Sequence, residues 1–123
     1  MENRQLAQQI EESMLKGEMT AYLMQQSKGY VKFFIRSGMV QKEYFPISYS
    51  KNIQFLEDEG LSVEIGMKYS TLKTICKLVT RMLENFPKIE YGTLCIPFKV
   101  DKDGSTVLFT DIEFEKENHI RRH

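Results

Sequence analysis

The stretch KGYVKFFIR, residues 28–36, interleaves aromatic and basic side chains. Alternate residues of an extended chain face opposite ways. Tyr30, Lys32, Phe34 and Arg36 therefore share one face, and the returning segment adds Lys42 and Tyr44. Rings and cations in this pattern have two functional uses. As aromatic anchors with charged neighbours they hold a partner protein, since aromatic and Arg side chains dominate protein interfaces. As stacking platforms beside phosphate-binding cations they hold single-stranded nucleic acid. The structural alternative is that an amphipathic helix at residues 3–16 covers this face. A second basic group, Lys73, Lys77 and Arg81, recurs at i, i+4 and i+8 on a helical pattern. It reads as a solvated ridge, or as a docking ridge for an anion or a partner protein.

Lys28-Gly29-Tyr30 resembles the opening of the sheet motif of RNA-recognition domains, whereas Val31, Lys32 and Phe33 depart from the residues that continue that motif. Catalytic chemistry finds little support. The histidines, His119 and His123, both lie in a polar C-terminal stretch where nothing would hold a general base in place. No Cys/His cluster has metal-ligand spacing. DKDGS at 101–105 fails as a calcium loop, because the sixth position falls on Thr106 and the twelfth on Ile112. Asp-Gly there reads as a hairpin turn. Asp111, Glu113 and Glu115 share a strand face and read as a solubilising row that protects a sheet edge. Glycines stand singly at turns and caps, so no loop cradles phosphate. No catalytic residue, cofactor or metal is assigned.

At 123 residues the chain has room for one domain, residues 1–123, with 116–123 as a polar, flexible tail. Seventeen basic and seventeen acidic side chains cancel in sum but not along the chain. Lys28, Lys32, Arg36, Lys42 and Lys51 face Glu43 alone over 27–51, and Lys68, Lys73, Lys77, Arg81 and Lys88 face Glu84 over 68–88. The acids gather at Glu57, Asp58, Glu59 and Glu64 and at residues 101–117. Separate basic and acidic faces can steer a charged partner or bind a second copy. Cys76 and Cys95 make no disulfide framework and read as buried reduced thiols. There is no apolar run of membrane-spanning length, and MENRQLAQQ is too polar for a signal peptide. A cytoplasmic protein with no membrane partner is expected.

The elements that must position these groups are organised by residues 69–86, YSTLKTICKLVTRMLENF. Leu72, Ile75, Cys76, Val79, Met82, Leu83 and Phe86 make one helical stripe, with Ser70 as the expected N-cap and Pro87 as the stop. Burying such a stripe gives roughly 1.5–3 kcal/mol per large side chain, so a sheet must lie beneath it. Residues 3–16 form a second helix with Leu6, Ile10 and Met14 on one side, ended by Gly17 in a left-handed conformation. Residues 19–25 admit helix or strand; the strand is favoured, with Ser27-Lys28-Gly29 as a hairpin turn. Strands come next at 30–36, with Val31, Phe33 and Ile35 inward, and at 42–49, with Phe45, Ile47 and Tyr49 inward. Ser37-Gly38 turns between them, and Pro46 marks an edge or a bulge. Residues 50–59 read as a short helix and 61–65 as a strand, or the two together as a hairpin. The last hairpin pairs 90–100, with Leu94, Ile96, Phe98 and Val100 inward, to 106–115, with Leu108, Ile112 and Phe114 inward. Pro97 again marks an edge or a bulge. Met14, Met19, Met24 and Met39 gather near the aromatic stretch as adaptable packing residues.

The fold expected is α+β: a mainly antiparallel sheet, meander plus C-terminal hairpin, packed by a central amphipathic helix with an N-terminal helix. The function expected is binding of another protein or a second copy of the chain, as regulator, inhibitor or chaperone-like adaptor. Single-stranded nucleic acid is the alternative ligand of the same face.

Overall fold

The structure is a computed structural model. It describes residues 2–46, 66–110 and 112–117, with the backbone alone for 108–110. The expected segments 50–59 and 61–65, the placements of Ile47, Ser48, Tyr49 and Asp111, the side chain of Leu108 and residues 118–123 lie outside the described residues.

Apolar spacing sets the first two helices, α1 (Arg4–Lys16) and α2 (Glu18–Gln25). In α1, Leu6, Ile10 and Met14 are buried, as the i, i+4, i+8 pattern requires. The strand favoured for 19–25 is not formed. Met19, Tyr22 and Leu23 are spaced for a helix and all three are buried in α2. Gly17 does break the helix, but not as a left-handed cap: its backbone is extended, φ −112° and ψ −173°. Thr20 seals the break, its hydroxyl donating to the Met14 carbonyl at 2.8 Å and accepting from the Gly17 N–H at 3.2 Å. Lys28 and Gly29, expected in a turn, already belong to the first strand.

The next two elements are strands, β1 (Lys28–Arg36) and β2 (Met39–Tyr44), joined by Ser37 and Gly38 at φ 55° and 75°. Positive φ at both central residues is the turn whose twist matches a two-residue hairpin. The central helix is α3 (Tyr69–Glu84), then β3 (Tyr91–Val100), β4 (Val107–Thr110) and β5 (Glu113–Lys116). All strand pairs are antiparallel, in the order β2-β1-β3-β4, with β5 also pairing β3. The meander is thus two strands, and the other neighbour of β1 is β3, more than fifty residues further on. Lys116 closes β5 and is no part of a tail.

The proline expectations resolve differently. Pro46 comes after β2, which lies at the end of the sheet order and carries a bulge: Lys42 pairs Phe34 while Val40 pairs Ile35, leaving Gln41 extra. Pro97 instead sits in the central strand, paired with Tyr30. The Val100 N–H donates to the Ser27 carbonyl at 2.8 Å. Antiparallel pairs alternate, so Tyr30–Pro97 is a non-hydrogen-bonded pair with β1. The missing N–H of Pro97 therefore faces the other neighbour, where β4 has ended at Thr110 and β5 has not begun.

The helices pack on one face of the sheet. Val31, Phe33, Ile35, Leu94, Ile96 and Phe98 share a single core with Leu6, Ile10 and Met14 of α1 and with Leu72, Ile75, Val79 and Leu83 of α3. Cys76 Sγ lies 3.9 Å from Met14 Sδ in that core. Ser70 does not cap α3; the cap position is Lys68, and the helix start is held instead by Gly104, whose carbonyl accepts from the Lys68 N–H at 2.8 Å and the Thr71 hydroxyl at 2.9 Å. Gly104 stands at φ +70°, and a Cβ there would strike the Gly66 carbonyl. At the other end, buried Asn3 closes the helix. Its Nδ2 reaches the carbonyls of Leu83, Phe86 and Pro87 at 2.9, 3.2 and 3.2 Å, and its Oδ1 accepts the Ile89 N–H at 3.0 Å. Leu83 is in the last turn of α3, where carbonyls lack intrahelical partners, and Phe86 and Pro87 follow the helix, so Asn3 ties the helix end to the chain that leaves it. No helix among the described residues is long and apolar enough to cross a membrane.

Candidate functional site

Alternation along β1 and β2 turns the aromatic and basic residues away from the helices. In β1, Val31, Phe33 and Ile35 are buried, whereas Phe34 and Arg36 are exposed and Tyr30 and Lys32 half-buried. Register brings the two strands' groups together: Lys32 pairs Tyr44, Phe34 pairs Lys42 and Arg36 pairs Met39. All six residues expected at the site, Tyr30, Lys32, Phe34, Arg36, Lys42 and Tyr44, thus lie on one outer surface. The expectation that the N-terminal helix covers this face is overturned. The apolar stripe of α1 is already satisfied by α3 and the inner face, so that helix lies on the opposite side of the sheet.

The rings and cations are mutually arranged. Tyr30 and Tyr44 stack with centroids 6.1 Å apart and planes 21° from parallel. Lys32 Nζ stands 5.5 Å from the Tyr30 ring centre and Lys42 Nζ 5.9 Å from that of Phe34. Each contact is worth about 0.5–1 kcal/mol at an exposed site. A side-chain hydrogen bond with Tyr44 and partial burial hold the Tyr30 hydroxyl above its ordinary pKa. Phe34, Met39 and Tyr44 remain 36–45% exposed. Met39, opposite Arg36, extends the apolar part of the patch, and nothing but the pairing register could assign it there.

Tyr22 supports this surface from behind. In the alternating ladder the Tyr30 N–H and carbonyl point toward β2, which has ended at Tyr44. The residue that would come opposite, Pro46, has no N–H to donate. The Tyr22 hydroxyl takes its place, donating to the Tyr30 carbonyl and accepting from the Tyr30 N–H, each at 3.4 Å. The Tyr22 ring packs against Phe45 and Phe98 at 5.4 and 6.2 Å between centroids.

The outer face continues across the sheet. Thr93 pairs both Phe34 and Glu115, and Cys95 pairs both Lys32 and Glu113. Cross-strand rows therefore run Lys42–Phe34–Thr93–Glu115 and Tyr44–Lys32–Cys95–Glu113, basic and aromatic at one edge and acidic at the other. Glu113 and Glu115 are exposed. Cys95 is half-buried on this face rather than in the core, its thiol pushed up by burial and by Glu113 and Glu115 against the opposing pull of Lys32. Cys76 is buried on the helix side and pushed up to about 12, chiefly by burial and then by Glu11. Both thiols are free, on opposite sides of the sheet.

Lys73, Lys77 and Arg81 do not join this surface. They line a shallow groove of about 370 Å³ on the outer side of the helix layer, shared with Glu11 and Glu84. Lys73 Nζ lies 5.7 Å from the Tyr69 ring centre. The four methionines do not gather either: Met14 and Met19 are core, Met24 and Met39 exposed. Another hollow of about 550 Å³ lies at the end of α3, between Phe86, Ile89, Tyr91 and Phe114. Asp101 holds the turn between β3 and β4. The Asp101 carboxylate accepts the Ser105 and Thr106 N–H groups at 3.1 and 3.3 Å. Burial pushes its pKa up, but these bonds outweigh it and hold the group below its ordinary value.

Compared with known proteins, the chain matches no protein-family model, no curated protein and no solved structure.

Proposed function

We propose that this is a small binding protein, without chemistry of its own, that docks another protein on the outer face of its sheet as a regulator, inhibitor or chaperone-like adaptor. The observation that carries the reading is the unburied row of Phe34, Met39 and Tyr44 on an ordered strand pair, framed by Lys32, Arg36 and Lys42. Apolar side chains held on a rigid sheet with charges around them are the make-up of an interface centre and rim. A cytoplasmic setting fits two thiols kept apart by the sheet.

Single-stranded nucleic acid is the rival ligand, and two features favour protein over it. Tyr30 and Tyr44 stack on each other rather than standing apart for bases. Glu113 and Glu115 lie on the same face, one strand beyond Cys95 and Thr93, and would repel phosphates. The test compares immobilised wild-type protein with a Phe34→Ala/Tyr44→Ala variant of equal thermal stability, alongside fluorescent oligo-dT at low and high salt. Protein captured by the wild type and lost from the variant is the expected result. Micromolar oligo-dT binding that falls steeply with salt, as counterion release requires, and that the variant loses, would replace the protein reading with the nucleic-acid one.

A further inference from the structure

We infer that the protein this face is built to dock is a second copy of the same chain. The inference rests on the docking reading above and adds the identity of the partner. A symmetric pair must present the same patch twice, so the patch has to complement itself. This one does. Its β1–β2 half carries Lys32, Arg36 and Lys42; its β5 half carries Glu113 and Glu115, on the same cross-strand rows.

Symmetry fixes how two such faces meet. A two-fold axis across the strands would set β2 on β2, like charge on like. An axis parallel to the strands, between β1 and β3, exchanges β2 with β5 and β1 with β3 while keeping the rows aligned. Lys42 then stands over Glu115 of the second copy, and Tyr44 over Glu113 of the second copy. Phe34 meets Thr93 at the centre, and each pair occurs twice. Lys28 and Lys99 pair at the far end of the same face. The axis sets like charges together there, so contact centres on the Phe34–Glu115 end. The full face spans roughly 600 Å² by strand spacing and rise, against about 800 Å² per partner in a standard interface. The area falls short of a standard interface, so the dimer is a reversible one whose population depends on concentration. Cys95 lies beside the axis, so the two Cys95 side chains come on the order of 8 Å apart across face-packed sheets. That is beyond disulfide reach and within that of a short bis-maleimide.

Sedimentation at low salt, with the full chain, tests the arrangement. Lys42→Glu and Glu115→Lys should each weaken self-association at least ten-fold, and an equimolar mixture of the two should restore it, because both pairs are then opposite in charge. The bis-maleimide should link wild-type dimer and not a Cys95→Ser variant. A monomer at all concentrations up to millimolar would overturn the inference. So would a dimer that ignores both charge reversals or resists linkage through Cys95. The docking reading fails separately, when the Phe34→Ala/Tyr44→Ala variant captures the same proteins as the wild type.

Discussion

Phe33 and Phe34 are neighbours in sequence and sit in the same strand, yet one is wholly buried and the other 36% exposed. Leu94 and Cys95 on β3 divide the same way, buried and half-buried. The inner face of the sheet is apolar, continuous and covered by α1 and α3. The outer face alternates rings, cations and acids and has no helix on it among the described residues. One periodicity thus writes two surfaces of different make-up. The inner one holds the fold together, and substitutions there should be felt as stability. On the docking proposal, substitutions on the outer one should be felt as binding more than as stability.

The sharpest way to break that contrast is a pair of alanine variants. Phe33→Ala should cost about 3–5 kcal/mol of unfolding free energy, the usual range for a buried Phe. Phe34→Ala should cost less than about 1 kcal/mol, mainly its contact with Lys42. Equal losses in chemical denaturation would mean that the outer face is structural after all. Asn3→Ala, on the helix side, should cost about 1–3 kcal/mol by removing the partner of the Ile89 N–H and of the Phe86 and Pro87 carbonyls.

The thiols sharpen the comparison further. Cys95 should react with a thiol reagent in the native protein, and Cys76 only after unfolding. A folded-state pKa raised from 9.0 to about 12 favours the folded state less as the unfolded thiol ionises. Its stability is complete below pH 9 and is lost between there and about pH 12. A Cys76→Ala variant, compared by melting temperature over that range, should show a smaller alkaline decline. The smallest effect belongs to the hairpin: Ser37→Asn should gain about 0.5–1 kcal/mol, since Asn tolerates the left-handed backbone that Ser37 adopts.

How much of this was legible in the sequence depended on the range of the interactions. The period of two in 30–36 and 94–100 was enough to divide Phe33 from Phe34. The seven apolar positions of 69–86 were enough to place the central helix. Residues 19–25 misled because seven residues carry few periods of either kind, and the choice was settled by burial of Met19, Tyr22 and Leu23 and by the Thr20 bridge across Gly17. The acidic half of the site was out of reach. Glu113 and Glu115 were visible as a row, but only the pairing of β1 with β3 sets that row beside Lys32 and Phe34. Asn3 was invisible for the same reason, its partners lying eighty or more residues away.

The most direct test of the outer face as a docking surface is a backbone amide NMR dilution series on the wild-type chain at low salt. The expected result is concentration-dependent shifts confined to residues of β1, β2 and β5 and to Thr93 and Cys95, with α1 and α3 unchanged. Shifts gathered on Lys73, Lys77 and Arg81, or none at any concentration together with none on adding a captured partner, would contradict it.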